Sequence, residues 1–172
     1  PIRKIKIGSM LQNYKTLNSI VYHERTQLYL VSYTKEISYE AKAEDGSLLI
    51  GYKPELPNAK AFKSGVLLIN PKSWEVIDEL DLPDNSLVND MKSSFIQIDT
   101  RTKRKREYII VGIGYATMED VPPTGEFHIY DITEVVPEPG KPNTNFKLKE
   151  IFKEDIRGIV SVVNGISGRF LI

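Results

Sequence analysis

Cysteine is absent from the 172-residue chain, which excludes disulfides and thiolate metal sites and fits a reducing compartment. Histidine is scarce as well. His23 and His128 are the only two, far apart in sequence and with no His-Glu-x-x-His element, so each reads as a packed or surface strand residue rather than a ligand. No apolar run approaches the roughly 18 residues a membrane helix needs, no signal peptide opens the chain, and no Asn-x-Ser/Thr acceptor occurs. Secretion therefore has no support, and no membrane partner is expected. An excess of charge is missing too: 23 Lys and Arg balance 23 Asp and Glu, so any nucleic-acid contact must come from a local patch. Apolar residues at i, i+3, i+4, i+7 are nowhere sustained over three turns, so no long helix is predicted.

The search for chemistry is equally thin. Gly112-Ile113-Gly114 lacks the third glycine and the helix of a dinucleotide loop and reads as a strand feature or bulge. Gly165-Ile166-Ser167-Gly168 falls short of Gly-x-Ser-x-Gly and suits a hairpin turn. No Gly-Lys-Ser/Thr phosphate loop exists. Asp81, Asp84 and Asp90 lack the spacing, central glycine and terminal glutamate of a calcium loop and read as turn aspartates. Neither a catalytic residue, a cofactor, a metal nor a small-molecule substrate is expected.

What is present is β structure. The 41% hydrophobic and 27% charged residues describe an ordinary globular chain. Leu28–Tyr33, Val66–Ile69, Tyr108–Ile113 and Phe127–Tyr130 are short, rich in β-branched and aromatic residues, and bounded by turn formers. The ten prolines and eleven glycines fall mostly between such runs. The strand order repeats: Gly65–Pro71 resembles Gly125–Asp131 sixty positions later, and Tyr108–Val111 resembles Arg169–Ile172 sixty-one later. Leu28 lies eighty positions before Tyr108, a mismatch that one loop insertion at about 35–63 absorbs.

These repeats predict an all-β fold of WD40-like propeller blades within residues 1–172. One four-stranded blade spans about 17–83 with the insertion at about 35–63, a second about 87–153, and a third starts at about 158–172. A Greek-key sandwich with coincidental spacing is the alternative. Two blades and a start cannot close a ring, so the chain is expected to be a piece of something longer, most stable inside a larger assembly. The lack of an initiator methionine before Pro1 and the apolar end at Phe170-Leu171-Ile172 fit that expectation.

One charge cluster stands out. Arg101, Lys103, Arg104, Lys105 and Arg106 put five cations into six residues between two strands. The run is either a solvated hairpin, a phosphate-contacting or acidic-partner patch, or a nuclear-localisation signal. No aromatic interleaves it, so base stacking has no support there. The insertion mixes Glu36, Glu40, Glu44 and Asp45 with Tyr39, Leu48, Leu49, Ile50 and Tyr52, a composition suited either to partner contact or to partial disorder.

Asp131–Pro142, followed by Asn145-Phe146-Lys147, resembles a segment of the large subunit of cleavage and polyadenylation specificity factor. Ile69–Glu75 and the opening Pro1–Ile5 are similar to the same family, so the resemblance spans nearly the whole chain. The Glu134–Gly140 run is its specific signal. The Tyr108–Gly112 strand is shared with two sister families, the large DNA-damage-binding subunit and the large splicing factor 3b scaffold subunit. The resemblance implies a non-catalytic, multi-propeller scaffold of nuclear pre-mRNA 3′-end processing. Its partners would be a WD40 subunit and a zinc-finger subunit that recognise the polyadenylation signal. Direct pre-mRNA binding through Arg101–Arg106 is the alternative, and a sister-family role in splicing or DNA-damage ubiquitylation a further one.

Overall fold

The computed structural model describes residues 15–38, 47, 60–97, 101, 104–115, 122–140 and 144–172. Ten strands follow one another: β1 (Lys15–His23), β2 (Leu28–Ser38), β3 (Lys60–Ile69), β4 (Val76–Asp84), β5 (Ser86–Ile96), β6 (Arg106–Tyr115), β7 (Thr124–Glu134), β8 (Phe146–Arg157), β9 (Asn164–Ile166) and β10 (Arg169–Leu171). They form a four-stranded antiparallel sheet in the order β1-β2-β3-β4, a second in the order β5-β6-β7-β8, and the hairpin β9-β10. No helix occurs among the described residues.

The three pieces stack. Leu28, Leu30, Val66, Leu68, Ile77 and Leu82 on one face of sheet 1 meet Val88, Met91, Ile109, Val111, Ile113, Tyr130 and Ile132 of sheet 2 in the largest core cluster. Sheet 2 turns its other face, with Ile96, Ile110, Phe127 and Ile129, to Val160, Val163 and Phe170. The central strands β2, β3, β6 and β7 are thus buried on both faces, which is why they read as mostly apolar runs. The outer strands alternate instead, as Leu80 and Leu82 do with Glu79 and Asp81 in β4.

Turn chemistry follows the sequence. Asn85, with φ of 61°, makes the switch from sheet 1 to sheet 2, and Asn tolerates that left-handed region better than most residues. Ser167 (φ 50°) and Gly168 (φ 86°) form the two-residue turn of β9-β10, a hairpin as expected from the sequence.

Several expectations change. β2 and β3 stay paired out to Ser38 opposite Lys60, so residues 35–38 and 60–63 are strand rather than loop. The core of the expected insertion, 39–46 and 48–59, lies outside the described residues, as do Pro1–Ile5 and 141–142. Asp81 and Asp84 belong to β4 and Asp90 to β5, so none is a turn aspartate. Asp81 accepts from Lys35 at 3.0 Å, and Asp90 accepts the Val163 amide at 2.9 Å. The sixty-residue match of Gly65 with Gly125 is also one residue out of face register. A Cβ on Gly65 would strike the Tyr33 ring on the side away from sheet 2, whereas a Cβ on Gly125 would strike the Gly158 carbonyl on the side toward the hairpin. An offset of sixty-one (Val66 with Phe127) keeps the faces matched.

Candidate interface: a polar seam and a basic hairpin

Where the β1-β2 turn of sheet 1 reaches sheet 2, charged groups are buried. Glu107, 2% exposed, stands near the start of β6 and points back at sheet 1. Its carboxylate accepts the backbone N–H groups of Glu24 (2.9 Å) and Arg25 (2.8 Å) and the Ser93 hydroxyl (2.5 Å). Burial pushes this carboxyl up, but the Ser93, Arg25 and Glu24 hydrogen bonds together outweigh it and hold the group below the ordinary glutamate value. Asp131, also buried, takes the Arg25 guanidinium on one oxygen and the Arg106 guanidinium at 3.0 Å on the other. Arg25 donates further to the Ile132 carbonyl at 2.9 Å. A turn of one sheet is thereby held by two carboxylates of the next.

His23 completes the seam. Its Nδ1 lies 2.7 Å from the Thr26 hydroxyl, while its Nε2, 3.4 Å from Glu107, makes no hydrogen bond. Burial holds the imidazole below the ordinary histidine value, with the nearby Glu107 charge opposing. His128 is buried as well, between Glu126 (2.8 Å), the Tyr130 hydroxyl (2.8 Å) and Glu150 (3.1 Å). Both histidines are therefore packed residues in hydrogen-bonded surroundings. Among the described residues no group of three or more His, Asp or Glu side chains is arranged to hold a metal ion.

The same device, a side chain grasping a neighbouring backbone, recurs at the far side of this seam and at the next one. Asp78 accepts the Leu148 amide at 2.8 Å, from sheet 1 to sheet 2. Asn89 donates to the Val160 carbonyl at 2.9 Å, from sheet 2 to the segment that leads into β9. Gly112 and Gly114 now have a purpose that no phosphate loop supplies: a Cβ on either would come within 2.5–2.6 Å of Val160 or Ile159. Glycine lets that segment lie flat on β6.

The basic run divides. Arg106 is the first residue of β6 and is tied to Asp131. Lys105 is exposed, but its stem passes beside Gly168 of the β9-β10 turn. Arg101 and Arg104 are exposed, and Lys103 lies outside the described residues. The structure adds Arg25 to this end of the molecule, a residue the sequence did not single out. Glu107, Asp131 and Arg25 were missed because nothing local distinguishes them. The one available signal was a carboxylate inside each of two otherwise apolar strands.

The fold and the seam define a class: a stack of antiparallel meander sheets whose buried charges bind one sheet to the next. The model of the family described as CPSF A subunit region matches residues 63–172, and the chain belongs to that family. It is 63% identical over 172 residues to Protein CFT1 of Saccharomyces cerevisiae, covering 100% of this chain and 13% of that protein. Protein CFT1 of Eremothecium gossypii is 54% identical over 171 residues, covering 99% of this chain and 13% of that protein. Cleavage and polyadenylation specificity factor subunit 1 of Drosophila melanogaster is 32% identical over 181 residues, covering 100% of this chain and 12% of that protein. The chain thus spans about an eighth of the length of these relatives.

Proposed function

We propose that this chain is a non-catalytic scaffold segment of the nuclear machinery that cleaves and polyadenylates pre-mRNA. In this reading the two four-stranded sheets are adjacent propeller blades and residues 158–172 begin the next. The observation that carries it is the family membership, joined to seams in which a buried acid, Glu107, and a half-buried one, Asp78, hold backbone rather than face a pocket. Rigid stacked blades expose many loops on a fixed frame, which suits docking of several subunits. Those subunits would include the WD40 and zinc-finger proteins that recognise the polyadenylation signal.

The test is processing activity in extract depleted of the full-length protein and supplemented with variants. His23→Gln and His128→Gln remove both histidines. A scaffold keeps its processing rate once partner binding is equal. Loss of processing by a folded variant with its full set of partners would assign these residues to chemistry and end the reading.

A second reading, direct RNA binding, is favoured by the exposed Arg104 and Lys105. With Arg106 paired to Asp131, the patch is smaller than the run suggests. Changing Arg101, Lys103, Arg104 and Lys105 to Ser should flatten the slope of log K against log salt by about 2 if three contact phosphates. An unchanged slope leaves the run as a solvated loop, a protein contact or an import signal.

A further inference from the structure

Two guanidiniums meet on one buried carboxylate beside the β1-β2 turn. Arg25 donates from Nη2 to Asp131 and to the Ile132 carbonyl at 2.9 Å, while its backbone N–H is held by Glu107 at 2.8 Å. Arg106 lies 3.0 Å from the other Asp131 oxygen. Asp131 is buried and stands as a fixed post between the two. The arginine side chains are 37% and 48% exposed. On Arg25 the N–H groups of Nε and Nη1 have no partner among the described residues, and on Arg106 only Nη2 is engaged.

Holding the seam does not call for this arrangement. Glu107 already fixes the turn through two backbone N–H groups, and Arg25 alone provides Asp131 with a partner. What the second guanidinium adds is geometry. Two planar forks with free donors are set in place before any ligand arrives, so little side-chain freedom remains to be lost on binding.

A second observation falls at the same place. Phe95 stands opposite Glu107 in the β5-β6 ladder, so it projects from the face of sheet 2 that sheet 1 covers. Val88 and Met91, on the same strand and face, are buried, yet Phe95 is 50% exposed. That face already has its neighbouring sheet, so stacking leaves the ring uncovered. An open apolar ring thus borders the turn that carries Arg25.

The surrounding charges select the ligand. Three acids, Glu24, Glu107 and Asp131, adjoin the forks, and the Lys105 stem runs beside Gly168 of the next hairpin. A chain of phosphates would bring repeated negative charge against those acids, whereas a single carboxylate meets only the guanidinium N–H groups. We infer that Arg25, Arg106 and Phe95 form a docking site for an extended segment of another protein. The segment places an Asp or Glu carboxylate on the guanidiniums and a neighbouring apolar side chain on the Phe95 ring. This inference rests on the docking reading above and names the chemistry of what docks.

The test uses the full-length protein assembled with its partner subunits and carrying p-benzoylphenylalanine in place of Phe95, irradiated and digested, with the crosslinked peptide sequenced. The expected peptide belongs to another subunit and has an Asp or Glu within about three residues of the attachment, the reach of a short extended segment. Arg25→Lys keeps the charge but loses the fork, and should weaken binding of that subunit about tenfold. Neutralising the identified acid should do the same, and both changes together should weaken binding no more than either alone. Arg106→Lys repeats the measurement without touching the turn, so a loosened turn is not mistaken for a lost contact. A crosslink to RNA or to this polypeptide overturns the inference, as does a protein peptide without an acid. A yield no higher than with the probe at exposed Lys149, unchanged affinity in both lysine variants, or additive losses in the double variant overturn it too. If any of these results appears while processing still falls in proportion to subunits lost from other variants, this site is wrong and the docking reading stands.

Discussion

Replacing Glu107 by Gln tests the seam with almost no change of volume. The carboxylate serves three donors, with Oε1 taking Glu24 N–H and Ser93 O–H and Oε2 taking Arg25 N–H. A glutamine has one acceptor oxygen. If it is placed to keep Glu24 and Ser93, its NH₂ faces the Arg25 amide, donor against donor. A buried unsatisfied N–H costs about 1–3 kcal/mol, and the two remaining hydrogen bonds lose the help of a full charge. The expected destabilisation is about 2–3 kcal/mol, set against about 0–1 kcal/mol for Lys35→Gln, which removes an exposed pair with Asp81. Urea titration followed by Trp74, the single tryptophan of these 172 residues and part of the β3-β4 turn of sheet 1, measures it. Amide exchange at Glu24 and Arg25 locates the effect. A Glu107→Gln variant within about 0.5 kcal/mol of the parent, with both amides still protected, would refute the reasoning.

Three further outcomes follow from the packing and the charges. Gly125→Ala puts a methyl within 2.5 Å of the Gly158 carbonyl and 2.7 Å of the Ile113 carbonyl. Because both are backbone atoms, the loss should reach the upper part of the roughly 1–3 kcal/mol range for overpacking, read as a lower urea midpoint. Ile110→Ala hollows the cluster beneath Val160 and Val163 and should cost about 2–5 kcal/mol by the same titration. Stability should also fall in two stages on acidification. His23 is held below its ordinary 6.5, so the unfolded chain takes up that proton first and stability declines as pH drops below about 6.5. His23→Gln removes this limb. Burial raises the Glu126 carboxyl, but His128, Lys153 and Tyr115 outweigh it and bring the group down to about 2. Its stabilisation is complete above the ordinary 4.5 and is lost as pH falls toward 2, an effect on the order of 3 kcal/mol that Glu126→Gln abolishes.

The fold was legible because the strands are buried on both faces. Tyr108–Ile113 and Val66–Ile69 have no other stable use for so many β-branched residues, and the glycines and asparagines between them mark the turns. Face register was not legible: Gly65 and Gly125 look alike in sequence, yet one makes room for the Tyr33 ring and the other for a neighbouring backbone. Only the sheet partners decide that. The seam was hidden for a related reason, since Glu24 and Glu107 are 83 residues apart and meet through stacking rather than spacing. The basic run was visible, but that Arg106 turns inward to Asp131 depends on β7 lying beside β6.

In the proposed reading this segment is a frame for other subunits, and the most direct measurement compares partner retention with processing across seam variants. Full-length protein carrying Glu107→Gln, Gly125→Ala or Ile110→Ala is purified by tag, its co-purifying subunits are quantified, and cleavage and polyadenylation are measured on the same samples. A scaffold predicts that processing falls in proportion to the subunits lost. Processing that collapses while the full set of subunits remains bound would contradict it.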